Sequence, residues 1–122
     1  MFVNFSNHPS ERWSAQQVAA AECYGQIQDI KFPEIDPAMD EAALDQLAQR
    51  YSAQIAAEKP AAVLCQGEAT FAFRVIRQLT EQGIVVLAAC TRRQTQETVC
   101  PDGAVLKQSV FVFAGFRRYA TP

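Results

Sequence analysis

Residues 61–89, "AAVLCQGEATFAFRVIRQLTEQGIVVLAA", decide the fold class. Ala61 to Gln66 is a short continuous apolar run, the pattern of a strand buried on both faces. It passes directly into a segment of helical period, in which Phe71, Val75 and Leu79 share one side, Arg74 and Arg77 lie elsewhere, and Gly83 marks the stop. Ile84 to Ala89 is a second apolar run. Two buried strands joined by one helix make a parallel βαβ unit, because parallel neighbours need a crossover of that length.

Reading back towards the N-terminus, the same alternation repeats. "DPAMDEAALDQLAQRYSAQIAAEKP" (residues 36–60) places Leu44, Leu47, Tyr51 and Ile55 on one helical face and ends before Pro60; Asp36 is its expected cap and Pro37 its first turn. Gln26 to Phe32 suits a strand ended by Pro33. A helix from about Ala15 to Tyr24 precedes it, with Gly25 as stop. Its start is well marked: Ser14 and Gln17 fit a capping box, and Trp13 with Val18 fits a hydrophobic staple. Phe2 to Ser6 is the first strand. Towards the C-terminus, "PDG" (residues 101–103) reads as a turn between two β-rich segments, and "VFVFAGF" (residues 110–116) is expected to be a returning strand buried on both faces. The whole implies a single α/β unit over residues 1–122, a Rossmann-like three-layer sandwich whose mostly parallel sheet ends in a C-terminal antiparallel hairpin.

The composition narrows the functional classes. With 122 residues, 49% hydrophobic, 20% charged and a net charge of -2, the chain has the profile of an ordinary globular domain. It lacks the basic excess that would attract long nucleic acid in bulk, so any anion must be held by a local cluster. No apolar run approaches the roughly 18 residues of a membrane span, and no leader pattern opens the chain, so a cytoplasmic protein with no membrane partner is expected. Cys23, Cys65, Cys90 and Cys100 are scattered singly beside one histidine, a pattern that suits reduced, mostly buried cysteine and neither a metal site nor a cofactor.

Ligands of open parallel sheets bind outside the carboxyl ends of the strands. That rule selects three polar segments. After the first strand, "SNHPSERW" (residues 6–13) offers Asn7, His8 and Ser10; the connection is longer than the usual 2–6 residues of a strand-to-helix loop, and the well-marked helix start keeps it from being absorbed. His8, the chain's one histidine, could act as acid, base or hydrogen-bond partner, or could equally pack against Trp13 while Asn7 and Ser10 satisfy the turn. After the third strand, "QGEAT" (residues 66–70) offers Gln66 and Thr70 as base or ribose contacts. Gly67 there could let a ligand approach the backbone. Glu68 either caps the helix or competes with an anion for the same dipole. After the fourth strand, "CTRRQT" (residues 90–95) offers Thr91 with Arg92 and Arg93, whose forked donors suit a phosphate. Arg117 and Arg118 form a second basic pair, read as structural or as a dimer edge.

The segments "NFSNHPSERWSAQQ", "YGQIQDIKFPEIDP", "QGEATF", "VIRQLTEQGIVVLAACTRR" and "VFVFAGFRRY" resemble the small stand-alone relatives of CRISPR-associated Rossmann-fold (CARF) domains found near type III systems. The resemblance implies a homodimer that binds a cyclic oligoadenylate second messenger at its strand ends, and in some members a ring nuclease that cuts it. It assigns the ligand loops to Asn7, His8 and Ser10, to Gln66, Gly67 and Glu68, and to Thr91, Arg92 and Arg93. Metal-independent attack by a ribose 2′-OH would use His8 for the proton and Arg92 or Arg93 for the phosphate. Glu68 beside phosphate and the lack of a loop lysine depart from an anion site. The alternatives are a non-enzymatic nucleotide-sensing or assembly module, and a small nucleoside-processing enzyme with Glu68 as nucleophile or base.

Overall fold

A computed structural model describes all residues, Met1–Pro122. The elements run β1 (Phe2–Ser6), a 3-10 turn (Ser10–Arg12), α1 (Ala15–Glu22), β2 (Ile27–Lys31), α2 (Glu41–Ala57), β3 (Ala62–Cys65), α3 (Ala69–Glu81), β4 (Val86–Val99) and β5 (Val105–Arg118). They form one mixed α/β sheet of five strands, in the order β2-β1-β3-β4-β5. The β1–β2, β1–β3 and β3–β4 pairs are parallel, and β5 returns antiparallel to β4. The chain thus steps outward from β1 to β2 and then crosses back to β3 on the other side of β1.

Period-two alternation divides the core. Val3, Phe5, Val63, Cys65 and Val86 face α2 and α3, where they meet Leu44, Ala48, Ile55, Phe71, Val75 and Leu79. Phe2, Ala62, Leu64 and Leu87 face the opposite way and meet Ala21 of α1, with Trp13 and Phe116 at the margin. Every residue of β1 is buried because neighbours flank it on both edges and helices cover both faces. Beneath β1, Phe5 lies 5.0 Å from Phe32 and 5.3 Å from Tyr51, and Phe32 meets Phe71 edge-on at 5.3 Å. Each such ring pair adds about 0.5–1.5 kcal/mol to the burial of its area, which ties both helices of this layer to the central strand.

The helix starts follow their caps. Ser14 Oγ accepts from Gln17 N–H at 3.2 Å and opens α1 as the capping box predicts. α2 begins later than expected, because Asp40 is its cap and accepts from Ala43 N–H at 2.7 Å. Asp36 instead closes a separate turn, accepting from Ala38 N–H at 2.9 Å. Gly25 (φ 120°) lies so close to the chain start that an added Cβ would sit 2.7 Å from Met1 N.

The hairpin differs most from expectation. Its turn is at Pro101–Gly103, but β4 and β5 are 14 residues each and the ladder continues from Leu87–Arg118 to Val99–Val105. β4 pairs with β3 only at Val86 and Leu87. Beyond that the two strands leave the sheet as a ribbon, with a register shift at Cys90/Thr91. "CTRRQT" is therefore strand and not loop. "VFVFAGF" is not buried on both faces either, since β5 is an edge strand and Phe111 is 71% exposed. Of the four free cysteines only Cys65 is buried, so mostly buried cysteine does not hold; burial pushes its thiol up to about 12. No helix is long and apolar enough to cross a membrane.

Candidate functional site

The carboxyl ends of β1 and β3, with the stretch where β4 leaves β3, border a cleft of about 520 Å³ beside the start of α1. Asn7, His8, Arg12 and Trp13 wall it from the first loop, Ser14 and Gln17 from α1, Gln66 and Gly67 from the end of β3, and Thr91, Phe111 and Phe113 from the root of the ribbon. Segments far apart in sequence meet here because parallel strands all end on the same edge of the sheet.

The first loop is held from below. Asn4 is 1% exposed in the middle of β1, and its Nδ2 donates to His8 O at 2.9 Å and to Asp29 Oδ1 of β2 at 3.0 Å. Ser6 Oγ donates to Asn4 Oδ1 at 2.7 Å and accepts from His8 N–H at 3.2 Å. The second carboxylate oxygen of Asp29 accepts from both the N–H and the hydroxyl of Ser10, each at 3.1 Å. Trp13 Nε1 adds a third donor to the loop, to His8 O at 3.1 Å. Buried polar groups must find partners, and these two strand residues find theirs in the loop above them. The His8 backbone is thereby fixed while its imidazole stays exposed at the cleft wall. Ser10 is committed to Asp29 and does not line the cleft.

At the end of β3 three residues take structural work. An added Cβ on Gly67 would lie 2.4 Å from the Phe32 ring, so the missing side chain makes room for a core phenylalanine. The Glu68 carboxylate caps α3: it accepts from Thr70 N–H at 3.1 Å, from Phe71 N–H at 2.8 Å and from the Thr70 hydroxyl at 2.7 Å. The Thr70 hydroxyl, with those two backbone donors and the nearby Arg74, holds this carboxyl below its usual range. Two of the N–H groups at this helix start, those of Thr70 and Phe71, are thus occupied. Gln66 does face the cleft. Its Oε1 accepts from Ala89 N–H at 3.2 Å, which assigns Nε2 as the free donor.

Past Leu64 and Leu87 the ladder between β3 and β4 ends, and side chains replace it. Gln66 serves Ala89 N–H, and the Tyr119 hydroxyl donates to Cys65 O at 2.6 Å. Burial above all, with Cys65 and Cys90 beside it, raises the Tyr119 phenol to about 12 and keeps it a donor. Arg117 and Arg118 are exposed at the base of β5, opposite Ala88 and Leu87.

The two arginines after β4 do not converge. Neighbours along a strand send their side chains to opposite faces. Arg93 lies across from Phe111 and its guanidinium donates to Ser109 Oγ at 2.9 and 3.1 Å. Arg92 lines a separate shallow groove with Gln16, Ala19 and Val112. The cation that does line the cleft is Arg12, in the 3-10 turn, together with the aromatic walls Trp13, Phe111 and Phe113. Arg12 carried no motif. Asn4 and Ser6 were visible as polar residues at alternate positions of a buried strand, which asks for partners, but the partners lie in other elements.

The arrangement brings together amide groups of Asn7 and Gln66, one cation, one imidazole and flat aromatic surfaces. No group of three or more His, Cys, Asp or Glu side chains is placed to hold a metal ion. A second, largely apolar groove of about 610 Å³ runs along α3 past Phe73, Ile76 and Tyr119 and shares Gln66 and Gly67 with the cleft. No curated protein and no solved structure matches the chain. The model described as the uncharacterized protein MJ1673 family matches residues 1–117, nearly the whole length, and the chain belongs to that family.

Proposed function

We propose that this chain is a nucleotide-binding module with a Rossmann-like sandwich fold, and that its cleft takes a cyclic oligoadenylate, as its resemblance to CARF-type CRISPR-associated proteins implies. The observation that carries the reading is the convergence of Asn7, His8, Arg12, Trp13 and Gln66, at the carboxyl ends of two parallel strands, with Phe111 at the root of the ribbon. A ring of adenylates presents alternating phosphates and flat bases. One cation and one imidazole beside three aromatic rings match that alternation better than they match a free inorganic anion. A single cleft is small for a ring, so a two-fold pair of clefts is the natural unit.

Binding without turnover is favoured over cleavage. In-line attack by the 2′-OH needs cations on the developing charge, and Arg92 and Arg93 diverge, with Arg93 held by Ser109. His8 and Arg12 alone would have to serve. Titration with cyclic tri-, tetra- and hexa-adenylate, followed by Trp13 fluorescence, tests the reading; Trp13 is the chain's one tryptophan and lies in the cleft wall. Binding of one ring that survives incubation in EDTA without linear products supports the module. Linear products support a metal-independent ring nuclease, and no response to any ring overturns both.

A further inference from the structure

The ribbon leaves the sheet without support. An isolated two-stranded hairpin is marginal in water, and stability needs a third strand or a packed face. Yet Thr91–Val99 and Val105–Ser109 are all exposed, and the large apolar side chains among them gain nothing there: Val99 is 72% exposed, Val105 54% and Leu106 50%. Cross-strand pairing puts Val99 and Val105 on the same face as Phe111, so one face runs from the cleft wall to an apolar tip. β5 is also an open edge with no proline over its 14 residues, which is a template for another chain.

Charge indicates what that chain is. Residues 86–118 carry five Arg or Lys against two Asp or Glu, whereas the rest of the molecule carries six against eleven. The ribbon is attracted to the body of a molecule like its own and repelled by another ribbon. A surface of one part that fits a different part of an identical chain closes as a two-fold exchange, each ribbon lying on its partner's body. Nucleic acid would favour the basic charge but not the apolar tip.

We propose that the β4–β5 ribbon is a clasp for a second copy of this chain, and that the copy seated on it closes the open side of the cleft at Phe111. This rests on the two-fold unit proposed above but not on the identity of the ligand. The test is sedimentation of the full chain beside two variants, Val99→Ser/Val105→Ser and Val99→Glu/Val105→Glu. These positions are already solvent-exposed, so folding of the single chain is preserved and circular dichroism checks it. Expected are a wild-type dimer that loosens as salt rises and loss of the dimer in both variants, more complete with glutamate. A wild-type monomer, or a dimer that persists in both variants, overturns the clasp. Trp13 fluorescence with cyclic tetra-adenylate separates the two readings: ring binding by a monomer overturns the clasp, while a ribbon-dependent dimer supports it whether or not the ring binds.

Discussion

The loop after β1 and the ribbon after β4 border the same cleft and are built in opposite ways. The loop has little regular structure, but Asn4, Ser6 and Asp29 hold it from beneath through partly buried hydrogen bonds. The ribbon is fully regular, with an unbroken outer ladder from Thr91–Phe113 to Val99–Val105, yet little but that ladder supports its outer part. Regular secondary structure is thus a poor guide to rigidity. What stiffens a cleft wall is the number of buried partners that its backbone has in other elements.

Breaking the support of the loop should have the largest effect. Asn4→Ala removes a buried donor to two acceptors and leaves Ser6 Oγ only its longer contact to His8 O at 3.3 Å, so a loss of about 2–4 kcal/mol is expected in urea unfolding. A loss below roughly 0.5 kcal/mol would show that the network does not carry the loop. Gly67→Ala comes next, because its Cβ meets the Phe32 ring; overpacking of this kind costs about 1–3 kcal/mol and should lower Tm with the cleft side chains unaltered. Arg12→Ala is expected to leave stability unchanged and to weaken an anionic ligand by about 1.5–3 kcal/mol per lost charge-assisted bond. The same change at Arg92 should do little, and equal effects at both would mean that the ribbon, not the loop, meets the anion.

Glu68→Ala removes the cap of α3, at about 1 kcal/mol. Because hydrogen bonds hold the folded carboxyl below its unfolded value, its contribution is present above the ordinary carboxylate pKa and disappears as pH falls through the lowered one. The wild-type and variant stability curves should therefore converge in acid. The smallest effect belongs to the ribbon: Arg93→Ala breaks only exposed bonds to Ser109, and a change under about 0.5 kcal/mol is expected.

Much of the molecule was legible from residue pattern. The alternation of strands and helices, the Ser14 cap of α1, the turn at Pro101–Gly103 and the antiparallel return all lie in local chemistry or in period, and they stand in the structure. The cleft was legible in part. The strand-end rule selected Asn7, His8 and Gln66, which do line it because parallel topology brings those ends together; Thr91 lines it too, but from within β4. Ser10 and Gly67 are fitted to neighbours that local sequence does not show, Asp29 and the Phe32 ring, whereas Glu68 and Thr70 take the local alternative that the sequence also offered, the cap of α3. Arg92 and Arg93 were misplaced because a polar run after an apolar strand looks the same whether it ends the strand or continues it in solvent.

Sequence by itself determined the order of elements and the mostly parallel sheet, and with them the edge at which the cleft opens, since periodicity and capping act over a few residues. Tertiary structure alone decided which polar groups there are free. A side chain is available to a ligand only if no partner within the chain satisfies it, and those partners come from strands 19 to 25 residues away, as Asp29 does for Ser10 and Asn4.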